Sequence, residues 1–506
     1  MFEKQDDDSP DPSQPIQKNI KGDHISFGNV YDRAVLAIGR SARAEVRIFN
    51  IDIRLLPLVV LLSVISLVLA FLLWYEPIPT EMIGEFNIAV TEFAVVDADN
   101  QRVKSEDGRN LANFLYQEID SNLKALDLQS GQPQVWPPEY TDVLPGDTAD
   151  ERAASAQKLA DRINADIIVT GVISSTGDRA RFEPQFFVTF KGFQEAPEIT
   201  GVHQLGKPVI VPLPFDPNAL VDIENPALSA RVNALTNITI GLAYYAIDDF
   251  DAALEYFYTA LDSNGWLRSA GKEVAYLLIA NTNVRLASIH KSTEFLEAAL
   301  ENYQEAAEIR PGYARAQAGE ALVLYLEALG NPNDPSFETV NLDLLDQAEA
   351  KFLMILDQDD LPQSANLEIK IQFYLGLINF VRAQTLDEEI WMIHAKDAFE
   401  KVVQAYENGN TTAALQAGYA HGQLALIARL NGDSQTAIKH YKQAIELVTP
   451  FEQGAFYLEL GAVHEHLEQE EEALEAYNEA LQIAEFFGND TLAHLAEEAL
   501  VRLSAD

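Results

Sequence analysis

The chain of 506 residues contains no cysteine. Disulfide bonds, cysteine-ligated metal sites and thiol nucleophiles are therefore excluded. Other catalytic patterns are missing too, since the sequence has no GxSxG, HExxH or complete P-loop motif. Among the nine histidines, His464 and His466 are two positions apart on a predicted helix and so point to different sides. We therefore predict no enzyme activity, no cofactor and no metal site.

Basic residues are also scarce. The sequence has 35 Lys and Arg against 78 Asp and Glu, a formal net charge of −43. Nucleic-acid binding depends on neutralisation of phosphates by Lys and Arg, and a body this acidic repels polyanions. The composition therefore predicts no nucleic-acid partner.

One long apolar run stands out against this acidic background. Residues 55–74 read LLPLVVLLSVISLVLAFLLW, with no charged residue. Twenty helical residues cover roughly 30 Å, the thickness of the hydrocarbon layer. Five arginines precede the run and only glutamates follow it closely. We therefore expect a single transmembrane helix over 55–75 in a cell membrane, with a cytoplasmic amino terminus and residues 76–506 extracytoplasmic.

The amino-terminal arm, residues 1–54, is expected to be partly disordered because its first fifteen residues are polar and rich in Pro and Asp. The following β-branched stretch, with Gly28 and Gly39 at turn-like spacing, predicts a short β element. Self-association, contact with a cytoplasmic partner and a passive linker all remain open as its role.

A small α/β domain is predicted over 86–215, because helical and strand-like patterns alternate there. The pattern predicts, in order, a buried strand over 86–97, a helix over 106–126, an irregular Pro-rich loop over 132–150, a helix over 151–165, a buried strand over 166–173 and an alternating strand over 181–190. The motifs IAVTEF, GRNLANFLYQEI and QKLADRINADIIVTGVI resemble the small α/β domain of the TolB amino-terminal and FlgO type, over residues 86–212. That resemblance implies a bacterial envelope protein in which this domain makes protein contacts.

A signature of two small or aliphatic residues and one aromatic residue recurs six times in the second half of the chain. The copies are Ala253-Phe257-Ala260, Ala299-Tyr303-Ala306, Ala348-Phe352-Ile355, Ala395-Phe399-Val402, Ala437-Tyr441-Ala444 and Ala473-Tyr477-Ala480. Offsets of four and seven lie on one face of a helix. Small residues there allow a neighbouring helix to approach closely, and the ring fills the remaining space. The pattern predicts stacked helix pairs, that is, a solenoid.

This half of the chain resembles the tetratricopeptide repeat superfamily. Besides the signature, Gly241, Tyr244 and Gly461 fall at the offsets typical of that family. The resemblance implies an all-α solenoid of about six helix pairs over 227–506, ending in a capping helix. The predicted fold class is therefore a multidomain chain with one transmembrane helix, a small α/β domain and a tetratricopeptide solenoid.

The family resemblance also implies a concave groove lined by the first helix of each pair. Extending the register from the alanines, we expect eight side chains to point into it: Asn281, Arg285, Tyr313, Glu320, Lys370, Phe373, Phe380 and Arg429. Rings and isolated cations suit an extended peptide or a partner helix. The leading hypothesis is a membrane-anchored scaffold that binds peptide or protein partners, with homo-oligomer formation left open. The alternative is a single-pass receptor whose α/β domain or groove binds a ligand and signals through the arm.

Overall fold

The computed structural model describes residues 80–96, 101–125, 133–175, 179–191, 193, 196–215, 226–262, 271–330, 339–358, 361 and 366–505. The predicted arm over 1–54 and the predicted span over 55–75 lie outside these residues. Within the described ranges, no helix is both long enough and apolar enough to cross a membrane. That finding corrects the predicted fold class and location. The described residues form an α/β region followed by an all-α solenoid. The predicted membrane helix, and the single-pass membrane location inferred from it, are withdrawn.

The α/β region contains one mixed sheet of eight strands. The strands are β1 Asn87–Val90, β2 Ala94–Val96, β3 Arg102–Val103, β4 Gln134–Trp136, β5 Ile167–Ser175, β6 Arg179–Val188, β7 Gly201–Gln204 and β8 Val209–Pro212. The long strand β5 organises them. It pairs with β6 in antiparallel fashion along its whole length, while its other edge is shared by β1 and then β2, both parallel to it.

The remaining strands extend the sheet outward from these central ones. Strand β4 pairs with β1 in parallel, and β3 pairs with β2 in antiparallel fashion. Strands β7 and β8 both pair with β6 in antiparallel fashion, β7 with its carboxyl-terminal half and β8 with its amino-terminal half. The strands predicted from the sequence correspond to the central ones of the sheet. The single strand predicted over 86–97 is interrupted at Thr91–Phe93, which separates β1 from β2. Strand β4 lies within the segment 132–150, which was predicted to be a loop.

Two helices cover opposite faces of the sheet. Helix α1, Glu106–Lys124, begins at Ser105, whose hydroxyl accepts a hydrogen bond from the Gly108 N–H at 2.9 Å. Helix α2, Ala149–Ile163, begins with a capping box formed by Thr148 and Glu151. Such caps satisfy N–H groups that the first helical turn leaves without partners.

The second half is built from consecutive antiparallel helices. They are α3 Pro226–Ala246, α4 Phe250–Asp262, α5 Lys272–His290, α6 Thr293–Ile309, α7 Ala314–Ala328, α8 Leu342–Leu356, α9 Leu367–Leu386, α10 Glu389–Glu407, α11 Ala414–Leu430, α12 Ser434–Leu447, α13 Pro450–His466, α14 Glu470–Phe487 and α15 Asp490–Ala505. The most extensive packing joins α3 to α4, α5 to α6, and so on to α13 and α14. The described residues thus form six helix pairs and a final helix.

The recurring signature lies in the second helix of each pair, at the interface with its neighbours. Every side chain of the six copies is exposed by 2% or less. In three pairs the ring packs directly on a glycine of the first helix: Phe257 on Gly241, Phe399 on Gly376 and Tyr477 on Gly461. A methyl group at Gly461 would approach the Tyr477 ring to 2.6 Å. The glycines are therefore needed for the close approach of paired helices. Tyr244 instead stacks on Tyr256, with ring centroids 5.4 Å apart.

The α/β region and the start of the solenoid share one hydrophobic core. Side chains of the sheet, of α1, of the segment 193–215 and of α3 to α5 pack in a single cluster. Phe193 links the two parts, because its ring stacks on Tyr245 of α3 and meets Phe86, just before β1, edge to face. Residues Pro79–Asp506 accordingly form one compact unit.

Candidate functional site

The first helices of three successive pairs, α5, α7 and α9, hold a segment of the α/β region between them. The short 3-10 helix Pro197–Ile199, which precedes β7, contacts all three helices. Glu198, Thr200 and His203 are each 2% exposed or less. The predicted groove would be lined by these first helices, so part of the surface where it is expected is occupied by the chain itself.

Arg315, in the first turn of α7, binds the backbone of this segment. One terminal nitrogen of the guanidinium donates to the carbonyl of Glu198 at 2.6 Å and also to that of Thr200, while the other lies 3.4 Å from the carbonyl of Val202. A planar guanidinium presents several donors at once, which suits successive carbonyl groups. His203 donates from Nε2 to the Ile199 carbonyl at 2.8 Å, and burial, followed by the nearby Arg315, holds its pKa well below the usual value.

A buried ion pair fixes the side chain of the same segment. The Lys370 ammonium on α9 pairs with the Glu198 carboxylate, and their side chains are only 7% and 2% exposed. The ammonium also lies 5.8 Å from the centre of the Tyr374 ring, one turn further along α9. Burial raises the pKa of the Tyr374 hydroxyl well above its usual value, and the negative charge of Glu198 adds to that shift. The phenol therefore remains neutral.

A cavity of about 380 Å³ opens beside this ion pair. Its walls come from the 196–198 segment and from α5, α7 and α9, and include Glu198, Asn281, Arg285, Ser288, Leu322, Leu326, Leu329, Lys370 and Tyr374. One side is apolar, formed by leucines of α7. The other side carries charged and amide groups. Ser288, near the end of α5, is exposed and so marks the opening. The volume falls within the range of small-molecule and peptide side-chain pockets.

Three of the eight predicted groove residues lie together in this cavity: Asn281, Arg285 and Lys370. Asn281 donates to the Leu277 carbonyl of its own helix at 2.9 Å. Arg285 lies over the Phe250 ring and 3.9 Å from a carboxylate oxygen of Asp248.

The other five predicted residues do not line the cavity. Tyr313 is buried beneath the Arg310 guanidinium, Glu320 pairs with Lys351, and Phe373 packs on Phe399 and Tyr419. Phe380 belongs to a hydrophobic cluster between pairs, and Arg429 pairs with Glu459 at 3.1 Å.

Arg315, Tyr374 and Glu198 are not among the groove residues predicted from the helical register. Arg315 lies two positions after the predicted Tyr313, and Tyr374 directly after the predicted Phe373. A small change of helical register would have included both. For Glu198 the sequence contains no comparable signal, because its partner is 172 positions away.

Histidines converge at one point of the solenoid. His421 Nδ1 lies 2.9 Å from His440 Nδ1, and burial, then the nearby His440, lowers the pKa of His421 to about 4. Burial also lowers the pKa of His440. Both rings are therefore neutral near pH 7. Among the described residues, no group of three or more His, Cys, Asp or Glu side chains could hold a metal ion.

Stacked antiparallel helix pairs with close-packed small residues define a helical-repeat solenoid. Within it, residues 419–447 and 455–487 match the family model of the tetratricopeptide repeat. The second half of the chain is therefore a tetratricopeptide repeat solenoid, which confirms that resemblance. The resemblance of the α/β region to the TolB and FlgO type stays a prediction.

Several solved structures are similar to this chain. PilW, a widely conserved type IV pilus biogenesis factor, is 16% identical over 52% of this chain and 96% of its own, with a TM-score of 0.36. PilF of Pseudomonas aeruginosa is 15% identical over 52% of this chain and 96% of its own, with a TM-score of 0.34. YrrB, a tetratricopeptide protein with an unusual peptide-binding site, is 20% identical over 48% of this chain and 99% of its own, with a TM-score of 0.26. No curated protein matches the chain in sequence.

Repeat solenoids stack units that each bury one face, and their extended concave surfaces bind other molecules. Tetratricopeptide proteins bind peptide or protein partners. The chain is thus a protein-interaction scaffold in the broad sense.

Proposed function

We propose that the chain binds an extended peptide segment of a partner protein at the cavity between α5, α7 and α9. The single observation that carries this proposal is the cavity itself, which combines an apolar wall with Arg285 and Lys370 on the concave side. An extended peptide offers both an apolar side chain and backbone carbonyls.

The docked segment of the chain supports the same chemistry. Arg315 donates hydrogen bonds to successive backbone carbonyls, and the Lys370 ammonium donates to a carboxylate. Side chains of α7 and α9 thus already bind a segment of polypeptide, the 3-10 helix Pro197–Ile199 and the residues that follow it. A partner peptide would lie next to this segment, in the space that it leaves.

Arg285 is the side chain best suited to exchange partners. Its contact with Asp248 is long, at 3.9 Å, and the Asp248 side chain is 76% exposed. Exposed ion pairs of this kind contribute little, about 0–1 kcal/mol. A carboxylate or carbonyl of the partner can therefore replace Asp248 at low cost.

The test selects peptides from a random library on the full chain and measures their affinity by fluorescence anisotropy. Ser288→Trp places a large ring at the opening of the cavity. We expect it to weaken the selected peptides by at least about ten-fold, which corresponds to about 1.4 kcal/mol. Met354→Trp is the matched control, since Met354 is 49% exposed on the second helix of its pair, α8. That variant should bind as the original chain does.

Two results would overturn the proposal. One is a selection that yields no peptide with saturable binding. The other is a set of peptides that bind Ser288→Trp and the original chain equally well. Thermal unfolding of both variants, followed by circular dichroism, establishes that the comparison is made between folded proteins.

A further inference from the structure

A second cleft lies in the α/β region. Its lining residues are distinct from those of the cavity between α5, α7 and α9. Its volume is about 1500 Å³. The walls are β3 with the preceding residue, the loop 142–147 and one face of α2. This space exists because α2 covers the sheet over Ala89, Trp136, Ile168 and Phe187 and leaves the part near β2 and β3 uncovered.

Four cations line this cleft from two sides. Lys158 and Arg162 are four residues apart on α2 and therefore lie on one face of the helix. Arg102 and Lys104 are two residues apart at β3, so they point to the same side of the strand. Of the residues that the structure describes, two carboxylates, Asp142 and Asp147, belong to the lining. In a chain with a net charge of −43, this is a local excess of positive charge.

The structure compensates these cations only weakly. Lys104 pairs with Asp142 at 2.8 Å, but both side chains are more than half exposed, so the pair contributes little. Within the described part of the chain, no ion pair joins Arg102, Lys158 or Arg162 to a carboxylate. Burial lowers the pKa of Arg102 despite the attraction of two carboxylates, Asp147 and Glu183.

A fifth cation stands next to the cleft. Arg152, on α2, donates to the Asp147 carbonyl at 2.9 Å, and its Nε is buried without a hydrogen-bond partner. Burial lowers its pKa, and the charge of Arg102 lowers it further. Two guanidinium groups therefore lie close enough to repel each other, and an anion placed between the walls would relieve that repulsion.

Apolar side chains also line the cleft. Leu144 and Leu159 are buried and form its floor, Val96 and Val143 are half-buried, and Pro145 is exposed. Apolar lining with a few charged groups is typical of sites for small organic molecules. A long polyanion such as nucleic acid is disfavoured, because the acidic surface beyond the cleft repels it.

From this arrangement we propose that the cleft binds a small organic molecule with two or more phosphate or carboxylate groups. The cation pairs on α2 and β3 each bind one anionic group, and the apolar floor contacts the carbon skeleton. Guanidinium groups bind either oxyanion through paired hydrogen bonds. This site is independent of the peptide site on the solenoid.

Isothermal titration calorimetry on the full chain tests the proposal, with pyrophosphate and citrate as probes at constant ionic strength. Acetate, which carries one charge, serves as the reference anion. We expect saturable binding of at least one of the two polyanions, at one site per chain, and none of acetate. The comparison of pyrophosphate with citrate distinguishes a phosphate ligand from a carboxylate ligand.

Substitutions then locate the site. Lys158→Gln and Arg162→Gln change exposed side chains on α2 and so leave the fold intact. Each should weaken binding at least ten-fold, whereas Lys207→Gln, an exposed cation outside the cleft, should leave it unchanged. The proposal is overturned if neither polyanion binds saturably, or if Lys158→Gln and Arg162→Gln bind as the original chain does.

Discussion

At the residue scale, the contact between Lys370 and Glu198 illustrates how the two parts of the chain are joined. Both charges are removed from water, which costs several kcal/mol per ion. Their mutual attraction and the hydrogen bond between them offset that cost. An isolated partner would lack this compensation, so the stability of the junction depends on both residues together.

Lys370→Met is therefore expected to destabilise the protein by about 3 kcal/mol, because it leaves the Glu198 carboxylate buried and unpaired. The double variant Lys370→Met with Glu198→Gln should recover much of that loss, since no buried charge remains. Urea unfolding of the two single variants and the double variant measures the coupling. The control is Arg429→Met, whose partially exposed pair with Glu459 should contribute less than about 1 kcal/mol. A double variant no more stable than Lys370→Met would contradict this explanation.

The same pair shows how far a site can be inferred from sequence. The spacing of the signature alanines sets the helical register, and that register led to Asn281, Arg285 and Lys370, which line one cavity. Local periodicity contains no information on what covers them. Glu198 reaches Lys370 only through the tertiary fold, across 172 positions. The contact of the Pro197–Ile199 segment with α5, α7 and α9 therefore could not be predicted.

At the scale of elements, one polar contact joins the last helix to the solenoid in addition to its apolar packing on α14. Arg502 of α15 donates two hydrogen bonds of 2.8 Å to the two carboxylate oxygens of Glu465 on α13. The Tyr477 hydroxyl of α14 donates to the same carboxylate. Terminal helices of solenoids protect the apolar face of the preceding repeat. Glu465 thus links three consecutive helices.

We predict that Glu465→Gln loosens α15 while the rest of the solenoid stays folded. An exposed bidentate pair contributes about 1 kcal/mol, so amide exchange in α15 should rise about five-fold at neutral pH. Hydrogen exchange measured by mass spectrometry, with rates corrected for pH, gives this comparison. Glu400→Gln, in an exposed pair with Lys396, is the control and should leave α15 unchanged.

The pH dependence follows from the same contact. The hydrogen bonds from Arg502 are the largest cause that lowers the pKa of Glu465 from 4.5 to about 2. Because the folded-state pKa is the lower one, the stabilisation is present above about pH 4.5 and is lost as the pH falls towards 2. The difference between Glu465→Gln and the original chain should therefore shrink below pH 4.5. A difference that stays constant down to pH 3 would exclude this carboxylate as the cause.

Secondary structure was easier to predict than strand pairing. The helix expected over 106–126 is α1, Glu106–Lys124, because its apolar stripe is regular. The predicted strand over 86–97 is divided into β1 and β2, since both must fit along the same edge of β5. Strand β4 was missed because its three residues lie between prolines and polar residues. Short strands next to β1 gain their stability from pairing, which composition does not reveal.

At the scale of the whole molecule, the shared core implies that the α/β region and the first helix pairs stabilise each other. Phe86, Phe193 and Tyr245 form a chain of rings from the sheet to α3. Contacts between independent domains are usually smaller and more polar. Here the apolar cluster extends without interruption from one part to the other, so we expect them to unfold together.

Phe193→Ala tests this coupling. Phe193 is 1% exposed, and removal of a buried phenylalanine ring costs about 3–5 kcal/mol through lost burial and the cavity left behind. Because the ring contacts both parts, amide exchange should accelerate in β1 and in α3 alike. Phe399→Ala removes a ring of the same size whose cluster lies wholly within α9 to α11, so it should accelerate exchange in the solenoid and leave β1 protected. If Phe193→Ala accelerated exchange on one side only, the α/β region and the solenoid would be separate folding units, and the buried contacts of Arg315 and Lys370 would be a docking interface that can open.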